Sequence, residues 1–291
     1  MMSALENAGW ITGFGLIAFL IIASNVMTMV AFYGCKNLLR MRSSYFLINL
    51  AAADLLVGAI SIPMLIILLC YQLDSVTYRN IYTAVDVTSG FASVFTLTAI
   101  GLERLYAFCW PLRQRTVLNN AKYLLVICVV WTLAFAITSL HLLYKYHGIP
   151  YDMFFYVMMS CLGACLFFIC VSYIAIWIRM KLYFSLQRRP SANDKKVTRM
   201  LLGITLIFVL TWLPFYLLNI INFFCNSCVK GNLSPNVVFF CKLLHYANSF
   251  INPVIFTFQM SDFRAALAKK LCKSCYDVAE EIPKIKEIPL N

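Results

Sequence analysis

The stretch Ile81–Trp110, IYTAVDVTSGFASVFTLTAIGLERLYAFCW, decides how the rest of the chain is read. It is a long apolar run with an acid near its start, Asp86, and an acid–base pair near its end, Glu103 and Arg104. Asp86 and Arg104 lie eighteen residues apart, five turns of an α-helix, so they share one helical face about 27 Å apart along the axis. That rise is close to the thickness of a bilayer core, and Ser93 and Leu97 fall near the same face. Ionised groups are costly in hydrocarbon, so this face is expected to turn into a helix bundle.

The whole chain supports that reading. Its mean hydropathy is +0.80, and only 12% of its residues are charged. Seven apolar stretches are long enough to cross a bilayer, near 10–34, 44–71, 79–108, 122–144, 151–180, 195–224 and 236–259. Backbone polar groups must be paired inside lipid, and no alternating pattern suggests a barrel, so helices are predicted. The expected class is an all-α membrane protein, a seven-transmembrane helix bundle with a short amphipathic eighth helix. It divides into an extracellular amino terminus over 1–9, a transmembrane domain over 10–259, an amphipathic helix over 260–272 and a cytoplasmic tail over 273–291.

The net charge of +12 is distributed as membrane topology requires, which argues against nucleic acid. Lys36, Arg40 and Arg42 follow the first span, and Arg113, Arg115 and Lys122 follow the third. Seven more basic residues from Arg179 to Arg199 surround the longest internal loop, and six lie in the tail from Arg264 to Lys286. Arg79, Lys145, Lys230 and Lys242 lie toward the opposite ends. The positive-inside rule puts the amino terminus outside and the carboxyl terminus inside. The first nine residues lack a basic region, so no removable signal peptide is expected.

Several polar groups stand out. Asn25 in the first span reads as interhelical glue. Asp54 in YFLINLAAADLLVG lies about ten residues, roughly 15 Å, from the cytosolic end, and reads either as an ion or proton site or as a hydrogen-bonded core acid. Pro214 in TWLPFY is expected to kink the sixth span, with Trp212, Phe215 and Tyr216 around it. In HYANSFINPVIF, Asn248 and Ser249 can serve the carbonyls freed by Pro253. Cys225 and Cys228 bracket an outer loop where a disulfide can persist; a metal site is less favoured there because other ligands are absent nearby. Asn232-Leu233-Ser234 is a glycosylation sequon weakened by Pro235. Beyond Met260, SDFRAALAKKLC places Phe263, Leu267 and Leu271 on one face and basic residues on the other, an interfacial helix. Cys272 and Cys275 beyond it read as palmitoylation candidates or as free thiols.

Taken together and in order, these residues resemble a rhodopsin-like (class A) G-protein-coupled receptor. The matches are Asn25, LAAAD with Asp54, Glu103-Arg104-Leu105, Trp131, Tyr173, Phe208 with TWLP, and NPVIF before a short eighth helix. Within that family the pocket motifs look most like those of biogenic-amine receptors, with Asp86 at the position that pairs with a ligand ammonium and Tyr246 at the position that hydrogen-bonds that acid. The resemblance implies a ligand site of Asp86, Val87, Gly90, Val157, Cys161, Trp212, Phe215, Tyr216, Asn219, Lys242 and Tyr246. It implies a small cationic ligand, biogenic or trace-amine-like, and a heterotrimeric G protein as partner, with arrestin and a receptor kinase beside it. It also implies the plasma membrane as location and contact with its lipids.

The resemblance further implies a switch. Arg104 is expected to be held by Glu103 and Asp194 at rest, and Trp212 and Phe208 to repack as the pocket fills. Tyr173, Asn252, Pro253 and Phe256 take the remaining switch positions. Asp54, Ser93, Asn248, Ser249 and Asn252 match the set that cages an allosteric sodium ion; no other cofactor is implied.

The departures are specific. Arg79 stands where most of the family has a cysteine, and Cys165 where a span-five proline is usual. Phe256 replaces the tyrosine of NPxxY, and Leu243 a tryptophan near the amine. Val157 and Cys161 replace serines of catecholamine receptors, which disfavours a catechol. The outer-loop departures are similar to those of melanocortin-type receptors, so a peptide, lipid or chemosensory ligand is the alternative. The bland reading of Asp86 is an internal clasp with Lys242, one turn above Tyr246. A retinal protein is disfavoured because Tyr246 stands where the Schiff-base lysine would be, and a transporter because the halves show no repeat. No catalytic constellation is present at recognisable spacing, so an enzyme is not expected.

Overall fold

The computed structural model describes residues 3–40, 44–73, 75–110, 119–186, 192–225, 233–259 and 263–268, with backbone alone at 37, 40, 108, 179–186, 192–206 and 258–259. Seven long helices account for nearly all of them: α1 (Ala4–Gly34), α2 (Ser44–Tyr71), α3 (Val76–Cys109), α4 (Asn120–His147), α5 (Tyr151–Leu186), α6 (Ala192–Phe224) and α7 (Pro235–Gln259). Among the described residues there is no strand. Six of the seven are long and apolar enough to cross a membrane. The seventh, α7, carries Lys242, His245, Asn248, Ser249 and Asn252 along its length, which lowers its hydropathy and marks it as a helix with a polar inner face.

Local chemistry sets the ends. Ser3 caps α1 in a reciprocal box with Glu6, Ser75 caps α3 through the Tyr78 amide, and Asn119 caps α4 through the Lys122 amide. Gly148 closes α4 at φ +71°, a conformation that costs glycine nothing, and Pro150 follows it. Helix α1 therefore starts well before residue 10, and the outer segment expected over 1–9 is helical from Ala4 on. Its first turns are tied to α7: the Trp10 indole donates to Asn236 Oδ1 at 2.8 Å, and the Asn236 amide donates to Glu6 Oε1 at 3.0 Å.

Helix α2 contains a π-helical turn over Val57–Ser61 that the sequence reading did not anticipate. Pro63 follows it; its ring and missing N–H disrupt the preceding turn, and widening that turn relieves the clash. At Gly58 an added Cβ would lie 2.8 Å from Ile21 Cγ2, so α1 and α2 approach there only because no side chain intervenes. Helix α3 runs through the middle, packed by α2, α4 and α5, while α7 packs between α1 and α6. Trp131 Nε1 donates to Asn49 Oδ1 at 2.9 Å, and the Asn49 amide donates to Thr96 at 2.8 Å, joining α4, α2 and α3. The amide of Asn25 donates to Ser249 O at 3.0 Å, joining α1 to α7.

Within the stretch 260–272 expected to form the interfacial helix, residues 263–268 are helical, with Phe263 buried against Phe32 at 5.8 Å between ring centroids and Arg264 exposed. Leu271, Cys272, Cys275 and the tail lie outside the described residues, as do Cys228 and Asn232, and so does the side chain of Asp194.

Candidate functional site

A cavity of about 310 Å³ opens among α3, α4, α5, α6 and α7. Its walls include Asp86, Val87, Gly90, Trp212, Phe215, Asn219 and Lys242, seven of the eleven ligand-site residues expected from sequence. Gly90 keeps the floor open, since the atoms nearest an added Cβ, on Trp212 and His245, are 3.9–4.0 Å away.

Asp86 is not free. The Lys242 ammonium donates to its Oδ2 at 2.5 Å, and the Tyr246 hydroxyl donates to its Oδ1 at 2.9 Å. Tyr82 lies 3.0 Å from the Tyr246 oxygen, and because the Tyr246 hydroxyl already donates to Asp86, Tyr82 is the donor to Tyr246. The Lys242 and Asp86 side chains are 14% and 13% exposed, so the pair sits at the cavity wall. The ammonium also lies over the rings of Phe215 at 4.8 Å and Tyr246 at 4.9 Å. The internal clasp is thus formed.

Four expected ligand residues do not line the cavity. Tyr246 is buried behind Asp86. Tyr216 turns its hydroxyl toward Met159 O at 3.5 Å, over Gly163. Val157 and Cys161 are half-buried outside the cavity, and Phe154, Met158, Met159 and Leu162 take that wall instead. The reason is phase. With Cys165 in place of proline, α5 runs unbroken from Tyr151 to Leu186, and a shift of one residue turns a side chain by about 100°.

The cavity also takes residues the sequence reading passed over. His141, Tyr144 and Lys145 line it from α4, and His245 from α7. His141 is 5% exposed, and among the described residues neither ring nitrogen has a partner; Trp212 Nε1 and His245 Nδ1 are likewise buried without one among them. The signal was present in HLLYKYH, where positions 141, 144 and 145 share one helical face.

Below the cavity four of the five residues of the expected polar cluster meet: Asp54, Ser93, Ser249 and Asn252. Asp54 is fully buried; Ser93 donates to its Oδ1 at 2.9 Å and Asn252 to its Oδ2 at 3.0 Å, and Ser249 also hydrogen-bonds it. Asn248 turns to α6, accepting from Thr211 at 3.4 Å. Trp212 packs on Phe208 at 5.8 Å and on His245 at 4.2 Å. At the far end Arg104 Nε lies 3.6 Å from Glu103 Oε2, and Tyr123 donates to Glu103 Oε1 at 3.2 Å. Tyr173 and Phe256 are buried in the surrounding core. Cys225 is disulfide-bonded.

The model of the seven-transmembrane receptors of the rhodopsin family matches residues 24–256. The chain is 28% identical over 299 residues to adenosine receptor A2b of Homo sapiens, covering 87% of this chain and 86% of that receptor. It is 26% identical over 316 residues to the alpha-1A adrenergic receptor of Homo sapiens, covering 90% and 67%. It is 25% identical over 303 residues to the tachykinin-like peptides receptor 86C of Drosophila melanogaster, covering 91% of this chain and 59%, less than two thirds, of that one. This chain is a multi-pass membrane protein belonging to the rhodopsin family of seven-transmembrane receptors, which are signalling receptors and not enzymes.

Proposed function

We propose that this chain is a plasma-membrane receptor, amino terminus outside, that binds a small ligand bearing a cationic amine and activates a heterotrimeric G protein. The observation that carries the amine is Asp86. It is a carboxylate on the wall of an aromatic cavity, oriented by Tyr246 and reached by a chain of hydroxyls from Tyr82. A preformed cavity lined by rings and a few polar groups is the usual form of a small-molecule site. The relatives named above are called receptors for a nucleoside, an adrenergic ligand and peptides, so the choice of ligand rests on the cavity.

A ligand acts by binding one conformation better than another. Filling the cavity presses on Trp212, which packs at a tilt on Phe208 and His245 beside the Pro214 position of α6. Movement of α6 then releases Arg104 from Glu103, and from Asp194, toward the G protein; arrestin and a receptor kinase act on the same cytosolic face. Asp54, Ser93, Asn248, Ser249 and Asn252 offer a buried carboxylate with hydroxyl and amide oxygens, the hard donors an alkali cation takes, and would hold a sodium ion in the resting state. Cys228 is the proposed partner of Cys225, and Cys272 and Cys275 are proposed to be palmitoylated.

A second reading follows from Lys242. Because it already neutralises Asp86, the cavity can serve a peptide or another ligand without an amine, with the pair as a structural clasp. One experiment separates the two. Cells reporting cyclic nucleotide and calcium are challenged with a panel of small amines, with Asp86→Asn alongside. The amine reading expects response in the parent and a loss of about 100-fold or more in potency in the variant, as when one partner of a buried charge pair is removed. An unchanged dose–response would favour the second reading.

A further inference from the structure

The charge of the cavity narrows the ligand further. Among the described residues lining it, Asp86 is the only carboxylate, while Lys145 and Lys242 both face it. A simple amine that takes Asp86 must evict Lys242, and the site then holds three cations against one carboxylate. The rings of Phe215 and Tyr246 beside the Lys242 ammonium stabilise a cation weakly and do not replace a counter-ion. A simple acid that takes Lys242 strips Asp86 to its bond with Tyr246. Either ligand forms one ion pair by breaking another.

Resting on the amine reading above, we infer that the ligand is amphoteric: a small aromatic molecule that carries an acidic group together with its ammonium. Its ammonium takes Asp86 while its acid takes Lys242, so one internal pair is exchanged for two pairs to the ligand. Both charges stay compensated throughout. Three further features of the cavity agree. Lys145 adds a second cation, so an additional acidic or carbonyl oxygen is accommodated. His141, one turn before Lys145 on α4, is buried, has no partner for either ring nitrogen among the described residues, and faces the same space. Phe91, Phe154, Trp212 and Phe215 form the walls against which an aromatic body packs.

The inference also explains why the clasp forms in the first place. Without ligand, a lone carboxylate and a lone ammonium on facing helices would each be poorly solvated, and pairing them serves both. An amphoteric ligand presents the same two charges in the opposite sense and is the chemical form that substitutes for the pair.

The test uses the full chain at the cell surface, with a G-protein reporter, and the detergent-purified receptor, with thermal unfolding. The probes are two matched series: phenylalanine, 2-phenylethylamine and 3-phenylpropionate; and tryptophan, tryptamine and indole-3-propionate. The amphoteric member of at least one series should act, and raise the unfolding midpoint, at a concentration about tenfold or more below both its amine and its acid. Lys242→Gln should remove its advantage over the amine, and Asp86→Asn its advantage over the acid. The reversed pair, Asp86→Lys with Lys242→Asp, keeps an ion pair and should keep the amphoteric preference, which covers the case in which a single variant fails to fold. If the amine matches the amino acid in the parent and is lost in Asp86→Asn, the amine reading survives and the amphoteric ligand does not. If Asp86→Asn changes no potency, both fall. Silence of both series on parent receptor that reaches the surface overturns the inference as well.

Discussion

Asp86 and Lys242 face each other from α3 and α7 with their charged atoms 2.5 Å apart and little access to water. Removing one member of such a pair leaves the other charge buried and uncompensated, which costs about 3–5 kcal/mol, whereas replacing both by groups of similar size is close to neutral. Lys242→Met should therefore lower the unfolding midpoint of the purified receptor clearly, and Asp86→Asn with Lys242→Met should restore most of the loss. A double variant no more stable than Lys242→Met alone would mean that the lysine acts through its packing on Phe215 and Tyr246. At this scale the sequence supplied both residues, and with them the possibility of a clasp. It could not say that the rotational phases of α3 and α7 bring the two charges together.

At the scale of the helix, the bundle is tied by a few buried polar side chains. Trp131 reaches from α4 to Asn49 on α2, which reaches on to Thr96 on α3. Trp131→Phe keeps the aromatic packing but removes the donor, leaving the Asn49 carbonyl oxygen unsatisfied at a cost of about 1–3 kcal/mol. The expected outcome is a lower midpoint and faster amide exchange where α2, α3 and α4 meet; an unchanged midpoint would show that water satisfies Asn49. Two other helix-scale features turn on proline. A proline in α2, not singled out from sequence, sits beside the π turn over Val57–Ser61, while the missing proline in α5 leaves that helix unbroken. On that helix Val157 and Cys161 lie off the cavity wall, and Met158 and Met159 lie on it.

For the whole molecule, Asp54 ties three helices at one point, because it joins α2 to α3 through Ser93 and to α7 through Asn252. If a sodium ion held by this cluster stabilises the resting arrangement, it lowers agonist affinity by linkage. Replacing sodium chloride with N-methylglucamine chloride should then tighten agonist binding to the parent receptor and leave Asp54→Asn unmoved; equal salt effects on both would place the ion elsewhere. By itself the sequence determined the class of fold, since lipid allows a spanning chain few ways to pair its backbone and each apolar run declares its own helix. The residues around Asp54 were named through the family resemblance, and the structure brings Ser93, Ser249 and Asn252 onto that carboxylate while Asn248 turns to Thr211. Only the tertiary structure decided what occupies Asp86, and that His141, Lys145 and Lys242 share its cavity. Those residues come from helices far apart in the chain. Whether their side chains meet depends on each helix's rotation about its own axis, which hydropathy along one helix does not specify.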